Sequence, residues 1–343
     1  MRRGACMKWM GAMIFAVLLV LWPERALQAA QRAMYTWVFS VAPVLFPFMA
    51  VVPALTAPDA LKLYERAAGR IFSAVFCVPP SAGGAITTAL MAGSPAGANA
   101  LMRTMMQERY THADAVRCAA LVTGCSPIFL LSGVGSGMLS SQAAGIVLVC
   151  VQIGAVFFTG VFLRFWPLAK EKAPVPAASD ARDPVQAVLN VCGSMVLFSV
   201  GMEFVTGPLK GAMKTVILAA GEIALGMQAV REYPLPVLAA VAGFSGMCIL
   251  WQNASCLRAC GISFGVLLCI KFLHALFAFV LCGIWMHIAG STPCFAGVGE
   301  VSFKSSVPYA LLLMGIPLAA GYKKAARRLL QKRIMKESVP PME

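Results

Sequence analysis

Clusters of helix-breaking residues interrupt long uncharged stretches of this chain. Gly93-Ser94-Pro95-Ala96-Gly97-Ala98-Asn99 lies in a run from Ile71 to Met102, and Gly124-Cys125-Ser126-Pro127 in a longer one from Cys118 to Leu163. Uncharged runs of this length read as membrane spans, since crossing the hydrocarbon takes about 20 helical residues. A break at that depth frees backbone N–H and C=O groups, which only surrounding protein or a water-filled cavity can satisfy. Secondary transporters build substrate sites from such broken helices. Transport is therefore the leading expectation.

Composition supports the membrane reading. Of 343 residues, 59% are hydrophobic and 12% charged, with mean hydropathy +0.79. A soluble domain carries about 25% charged residues. The net charge of +14 does not point to nucleic acid, because the basic residues sit at the ends and in short polar connections, as topology signals do. The twelve cysteines include no Cys-x-x-Cys pair, and most lie in apolar runs. They read as small packing residues, with no metal, cofactor or disulfide expected.

The expected fold is an all-α polytopic membrane protein with broken or re-entrant helices and two related halves. Residues 1–167 form the first half, 168–184 a polar linker, 185–326 the second half and 327–343 a basic cytoplasmic tail. The linker is the only extended Pro/charged segment, Lys170 to Pro176 followed by Asp180 to Pro184. Trp9 to Trp22 reads as a first helix, with a signal peptide as the alternative. Glu24 to Arg32 reads as a short amphipathic connection. Pro43, Pro47 and Pro53 predict a bent or re-entrant element between Ala33 and Pro58. Arg103 to Arg117 reads as a polar loop, and Ser140-Ser141-Gln142 as a turn.

In the rear half, spans are expected at Val185–Val205, Pro208–Val230, Pro234–Leu257 (interrupted at Gln252-Asn253), Gly261–His287 and Val307–Tyr322. Ser94 and Ser126 lie about as far apart as Glu222 and Gln252, a weak internal symmetry of the inverted-repeat kind. Basic residues at both ends place both termini in the cytoplasm of a multi-pass plasma-membrane protein.

Glu222 stands out within Val216–Gly226, an otherwise uncharged stretch. A buried carboxyl there must be paired, protonated or turned to a cavity, so it reads as a proton, cation or ligand site, against a carboxyl at a helix end. Gln252 and Asn253 can donate and accept, or simply join helices. Lys271 and His274 share a helix face and are candidates for coupling, or for helix packing. Gly93, Ser94, Pro95, Gly97, Ala98 and Asn99, with Ser126 and Pro127, precede or open half-helices whose N-termini suit an anion. Gly243-Phe-Ser-Gly246 has the outline of an intramembrane serine nucleophile with His274 as base. The glycine spacing after that histidine and a His-x-x-x-Asn oxyanion donor are missing, so no enzyme is expected.

Several blocks resemble a known family. Trp37 to Val51, Gly93 to Ala98, Ser126-Pro127-Ile128-Phe129 with Gly133-Val134-Gly135, Gly221 to Gly226, Gly243 to Gln252 and Lys271 to Leu276 are similar to the YlbJ sporulation integral membrane proteins. These belong to the wider nucleoside-recognition or Gate-domain group. The resemblance implies a membrane protein of spore-forming bacteria, in the membrane around the developing spore, associated with moving dipicolinate, a small aromatic dicarboxylate. The family usually has an aromatic residue where this chain has Ser94. The partners it implies are the bilayer, a small organic anion, and a second copy or other sporulation membrane proteins. The alternatives are a non-transporting scaffold or partner subunit, or a nucleoside or ion transporter.

Overall fold

The computed structural model describes residues 2–64, 69–177 and 184–289. The span expected at Val307–Tyr322, the basic tail and part of the linker lie outside them. The described chain is α-helical, with one isolated β-bridge between Thr111 and Lys172.

In the front half the helices are α1 (Arg2–Leu21), α2 (Pro23–Thr36), α3 (Ala42–Leu55), α4 (Pro58–Tyr64), α5 (Arg70–Phe76), α6 (Gly83–Ala92), α7 (Ala96–Gln107), α8 (His112–Val122) and α9 (Gln142–Phe165). The rear half holds α10 (Pro184–Thr206), α11 (Gly211–Gly221), α12 (Ile223–Ala229), α13 (Leu235–Phe244), α14 (Gly246–Leu257) and α15 (Phe264–Ala289). π-helical turns occupy Trp37–Val41 and Phe129–Met138.

Four stretches are long and apolar enough to cross a membrane: α9, α10, α13 with α14, and α15. Two bent pairs, α1 with α2 (102°) and α5 with the segment through α6 (103°), raise the number to as many as six. The architecture is that of an all-α polytopic membrane protein.

Local chemistry explains the breaks and refines three expectations. Pro23 ends α1, yet the connection expected at Glu24–Arg32 is itself helical, as α2. The proline-rich stretch also stays helical. The π-turn Trp37–Val41 sits directly before Pro43, where the missing N–H leaves an α-turn open, and Pro47 and Pro53 are carried inside α3.

The polar loop expected at Arg103–Arg117 shrinks to Glu108–Thr111, because Thr111 starts α8 with a capping box. Its Oγ1 accepts from Asp114 N at 3.1 Å, and Asp114 Oδ2 accepts from Thr111 N at 3.0 Å. Thr111→Ala is expected to cost about 1 kcal/mol, read as a lower unfolding temperature in detergent. Thr111→Ser should keep the wild-type value.

The interior is built from small residues, as close helix packing in lipid requires. Ala89, Ala92, Ala96, Ala98, Ala115, Ala119 and Ala120 are buried in one core, and Ala239, Ala240 and Ala242 in another. α13 packs on α15, α15 on α9, α10 on α2 and α3, and α14 on α7. Phe158, Phe162 and Phe165 of α9 and Ile284, Trp285 and Ile288 of α15 face outward, an apolar surface that suits lipid. At the ends, Arg117 donates to Leu163 O, Cys77 O and Arg164 O, and Arg164 to Val75 O. These cations satisfy carbonyls that helix C-termini leave open.

The segment after α9 is tied down. His112 N donates to Glu171 O at 2.7 Å, Ala113 N to Ala169 O at 3.0 Å and Ala173 N to Tyr110 O at 2.9 Å. Pro174 lies against Gly261, in the turn between α14 and α15. Tyr110 itself is buried with its hydroxyl 3.1 Å from Ser81 Oγ, and burial pushes that phenol above its ordinary range.

Candidate functional site

Four breaks lie close together among the described residues. The first separates α6 from α7: Gly93 has φ +71° and ψ −159°, and the Ser94–Pro95 peptide is cis. The second follows α8, whose last helical residue is Val122; Thr123 to Ser126 are non-helical and the chain re-coils from Pro127. Ser94 N donates to Gly124 O at 2.9 Å. A Cβ on Gly93 would stand 2.4 Å from Ser126 Cα, so these two breaks cross with no room for a side chain.

In the rear half the third break is Glu222, in an extended conformation between α11 and α12. Its Oε2 accepts from Leu225 N at 2.9 Å, and it lies within hydrogen-bonding reach of the Ile223 and Ala224 N–H groups. The fourth is Ser245-Gly246, at φ +65° and +75°, between α13 and α14. Gly246 backs onto the third break: a Cβ there would meet Ile223 N at 3.0 Å and Glu222 Cα at 3.1 Å. Each of these two pairs of breaks thus packs through a glycine at positive φ.

One correction concerns this fourth break. The interruption expected at Gln252-Asn253 is absent, since α14 runs unbroken from Gly246 to Leu257 through both. Amide side chains interact across helices and leave the backbone ladder intact. A turn at positive φ opens it. Ser245 Oγ donates to Ala242 O at 2.8 Å.

The crossing encloses a cavity of about 70 Å³. Ser94, Pro95, Cys125, Ser126, Glu222 and Gln252 line it, with apolar walls from Val41, Leu45, Phe129 and Ile249. Two larger cavities flank it. One, of about 330 Å³, shares Pro95, Val191 and Gln252 with the middle and adds Asn99, Asn190, Ser194 and Ser255. The other, of about 620 Å³, shares Met195, Glu222 and Ala224, and adds Arg32, Glu203, Lys214 and Gln228. Glu222 and Gln252 are therefore walls between neighbouring cavities.

The remaining candidates take other places. Asn253 is fully buried and accepts from the Ser94 hydroxyl, joining α14 to the first break. Asn99 accepts from Arg103 Nε at 3.1 Å beside the 330 Å³ cavity. Gly97 and Ala98 are packing residues, Gly97 pressed between Ala89 and Val122 O. Pro127 begins the second half-helix and lines none of these three cavities.

Lys271 and His274 do share a buried face of α15, yet they line none of the three cavities. Lys271 Nζ donates to Thr123 O at 2.6 Å, and His274 Nε2 lies 2.9 Å from Ala120 O. Both meet carbonyls at the end of α8 that the helix leaves open. Two polar atoms stay unsatisfied at the crossing, Gln252 Oε1 and Asn253 Nδ2. Gln252 Nε2 meanwhile donates to Ser194 Oγ at 2.7 Å. Ser194 went unnoticed in the sequence, where a serine in an apolar helix carries no signal of its partner.

Crossed broken helices around an internal cavity, within an apolar outer surface, define an α-helical membrane protein with a central polar site. The chain is 23% identical over 313 aligned residues to the sporulation integral membrane protein YlbJ of Bacillus subtilis (strain 168), a match covering 75% of this chain and 77% of that protein. No family model matches the chain, and no solved structure matches it. The likeness agrees with the resemblance drawn from the residue blocks above.

Proposed function

We propose that this protein carries a small organic anion, of the dipicolinate kind, across a membrane of a sporulating bacterium. The observation that carries the reading is the convergence of the breaks, Glu222 and Gln252 on one cavity. Residues that open α7 and the half-helix from Pro127 line this cavity, and helix N-termini favour negative charge. Gln252 adds a wall amide whose Oε1 has no protein partner, so this polar group is left open toward the cavity. The sporulation setting rests on the likeness to YlbJ.

A cavity of about 70 Å³ holds a few waters, at about 10–15 Å³ each, and no aromatic dicarboxylate. The reading therefore requires the half-helices to part on one side at a time, opening the middle first to one flanking cavity and then to the other.

The test is uptake of labelled pyridine-2,6-dicarboxylate by proteoliposomes holding the purified full chain. Wild type is expected to take it up, and Gln252→Leu, which removes the wall amide, to lose about tenfold or more of the rate. No uptake by wild type of this anion, other small carboxylates or nucleosides would sink the carrier reading and favour a scaffold.

A further inference from the structure

We infer that Glu222 is the proton-coupling residue of this site: an anion enters the middle cavity only with the Glu222 carboxyl protonated, so each anion crosses together with a proton. The inference rests on the carrier reading and adds its driving force.

Four observations lead there. Glu222 is 2% exposed yet lines both the 70 Å³ and the 620 Å³ cavity, so it stands between the proposed substrate space and a second cavity lined by charged side chains. Among the described residues no cation pairs with it. When ionised, its charge is held only by the N–H groups of its own α12, chiefly Leu225 N at 2.9 Å. The remaining lining of the middle cavity is neutral or apolar, apart from the Cys125 thiol, and includes the unsatisfied Gln252 Oε1.

The groups facing Glu222 from neighbouring elements are the Cys248 thiol of α14, Lys214 of α11, and Glu203 of α10 with Arg32 of α2. Arg32 and Glu203 are 2.9 Å apart and neutralise each other. Lys214 is exposed, lines the larger cavity and forms no ion pair with Glu222. None of them compensates a second negative charge brought into the middle.

Like charges at such short range in a water-poor interior cannot both persist, and one takes up a proton. The carboxyl is the group placed to do so. Water in the 620 Å³ cavity delivers the proton to Glu222, and the proton leaves to water once the anion has moved on. The carboxylate then returns to its three N–H partners, which stabilise the empty carrier. Coupling follows because charged Glu222 and bound anion exclude one another.

The experiment uses proteoliposomes of the full chain with a pH-sensitive dye inside, and pyridine-2,6-dicarboxylate as probe. Wild type is expected to exchange labelled for unlabelled probe, to move protons with net uptake, and to accumulate probe toward the alkaline side. With the membrane potential clamped at zero, because one proton with one dianion moves a net negative charge, the gain expected is about tenfold per unit of imposed pH difference. Glu222→Gln keeps an acceptor for Leu225 N. Whatever exchange it supports should run without proton movement and without pH-driven accumulation. Glu222→Asp should keep them.

Exchange without proton movement in wild type would overturn the coupling and leave the carrier standing. So would proton movement surviving in E222Q. If E222Q lost exchange as well, E222D would decide: proton movement retained supports the inference, and exchange without it overturns it. Absence of exchange in wild type would overturn the carrier reading itself, and the coupling with it.

Discussion

Gly93→Ala is expected to destabilise the protein by about 4 kcal/mol. Two penalties add at this position. The backbone sits at φ +71° and ψ −159°, a region open in practice to glycine alone. The added methyl would also stand 2.4 Å from Ser126 Cα and 2.5 Å from Ser126 N. Those are backbone atoms, so no side chain can swing aside. The two front breaks must separate, which stretches the Ser94 N to Gly124 O bond and opens the wall of the middle cavity. Thermal unfolding in detergent measures the cost. Gly193→Ala, where a Cβ meets nothing within 4 Å, is the control and should hold or raise stability by a few tenths of a kcal/mol or more. Equal behaviour of the two variants would refute the crossing.

Lys271→Met should cost about 2–3 kcal/mol. Methionine fills a similar volume, so the loss isolates the polar contact. Lys271 is fully buried and its Nζ is the donor to Thr123 O. Without it a buried carbonyl at the end of α8 has lost its partner, and the adjoining break loses its anchor on α15. Hydrogen exchange should speed up in the last turn of α8, and the unfolding temperature should fall. Lys214→Met, at an exposed site, is expected to stay within about 0.5 kcal/mol of wild type. A Lys271→Met protein with unchanged exchange at Ala119–Thr123 would show that the contact contributes nothing.

Much of the framework could be read from local chemistry. Gly93 to Pro95 and Gly124 to Pro127 are breaks because proline lacks a donor and glycine tolerates angles that other residues avoid, and both facts are visible in the sequence. Glu222 was visible for a similar reason, a carboxyl with no charged neighbour in its run.

The fourth break was misplaced because amides are conspicuous in an apolar segment, while Gly243 to Gly246 drew notice as the outline of a serine nucleophile. Only the fold shows that Gly246 must back onto Glu222. The pairing of Lys271 and His274 on one face followed from their spacing. Their partners at Thr123 and Ala120 did not, since nothing local connects α15 to the end of α8. The apolar cavity walls at Val41, Leu45, Phe129 and Ile249 left no trace for the same reason.

The strap formed by residues 169–174 has a mechanical consequence. It is hydrogen-bonded to the turn between α7 and α8 on one side and abuts Gly261 before α15 on the other. In the carrier cycle proposed above, rocking of α15 against α8 would pull on this strap, and its three backbone hydrogen bonds would then limit the amplitude of the motion.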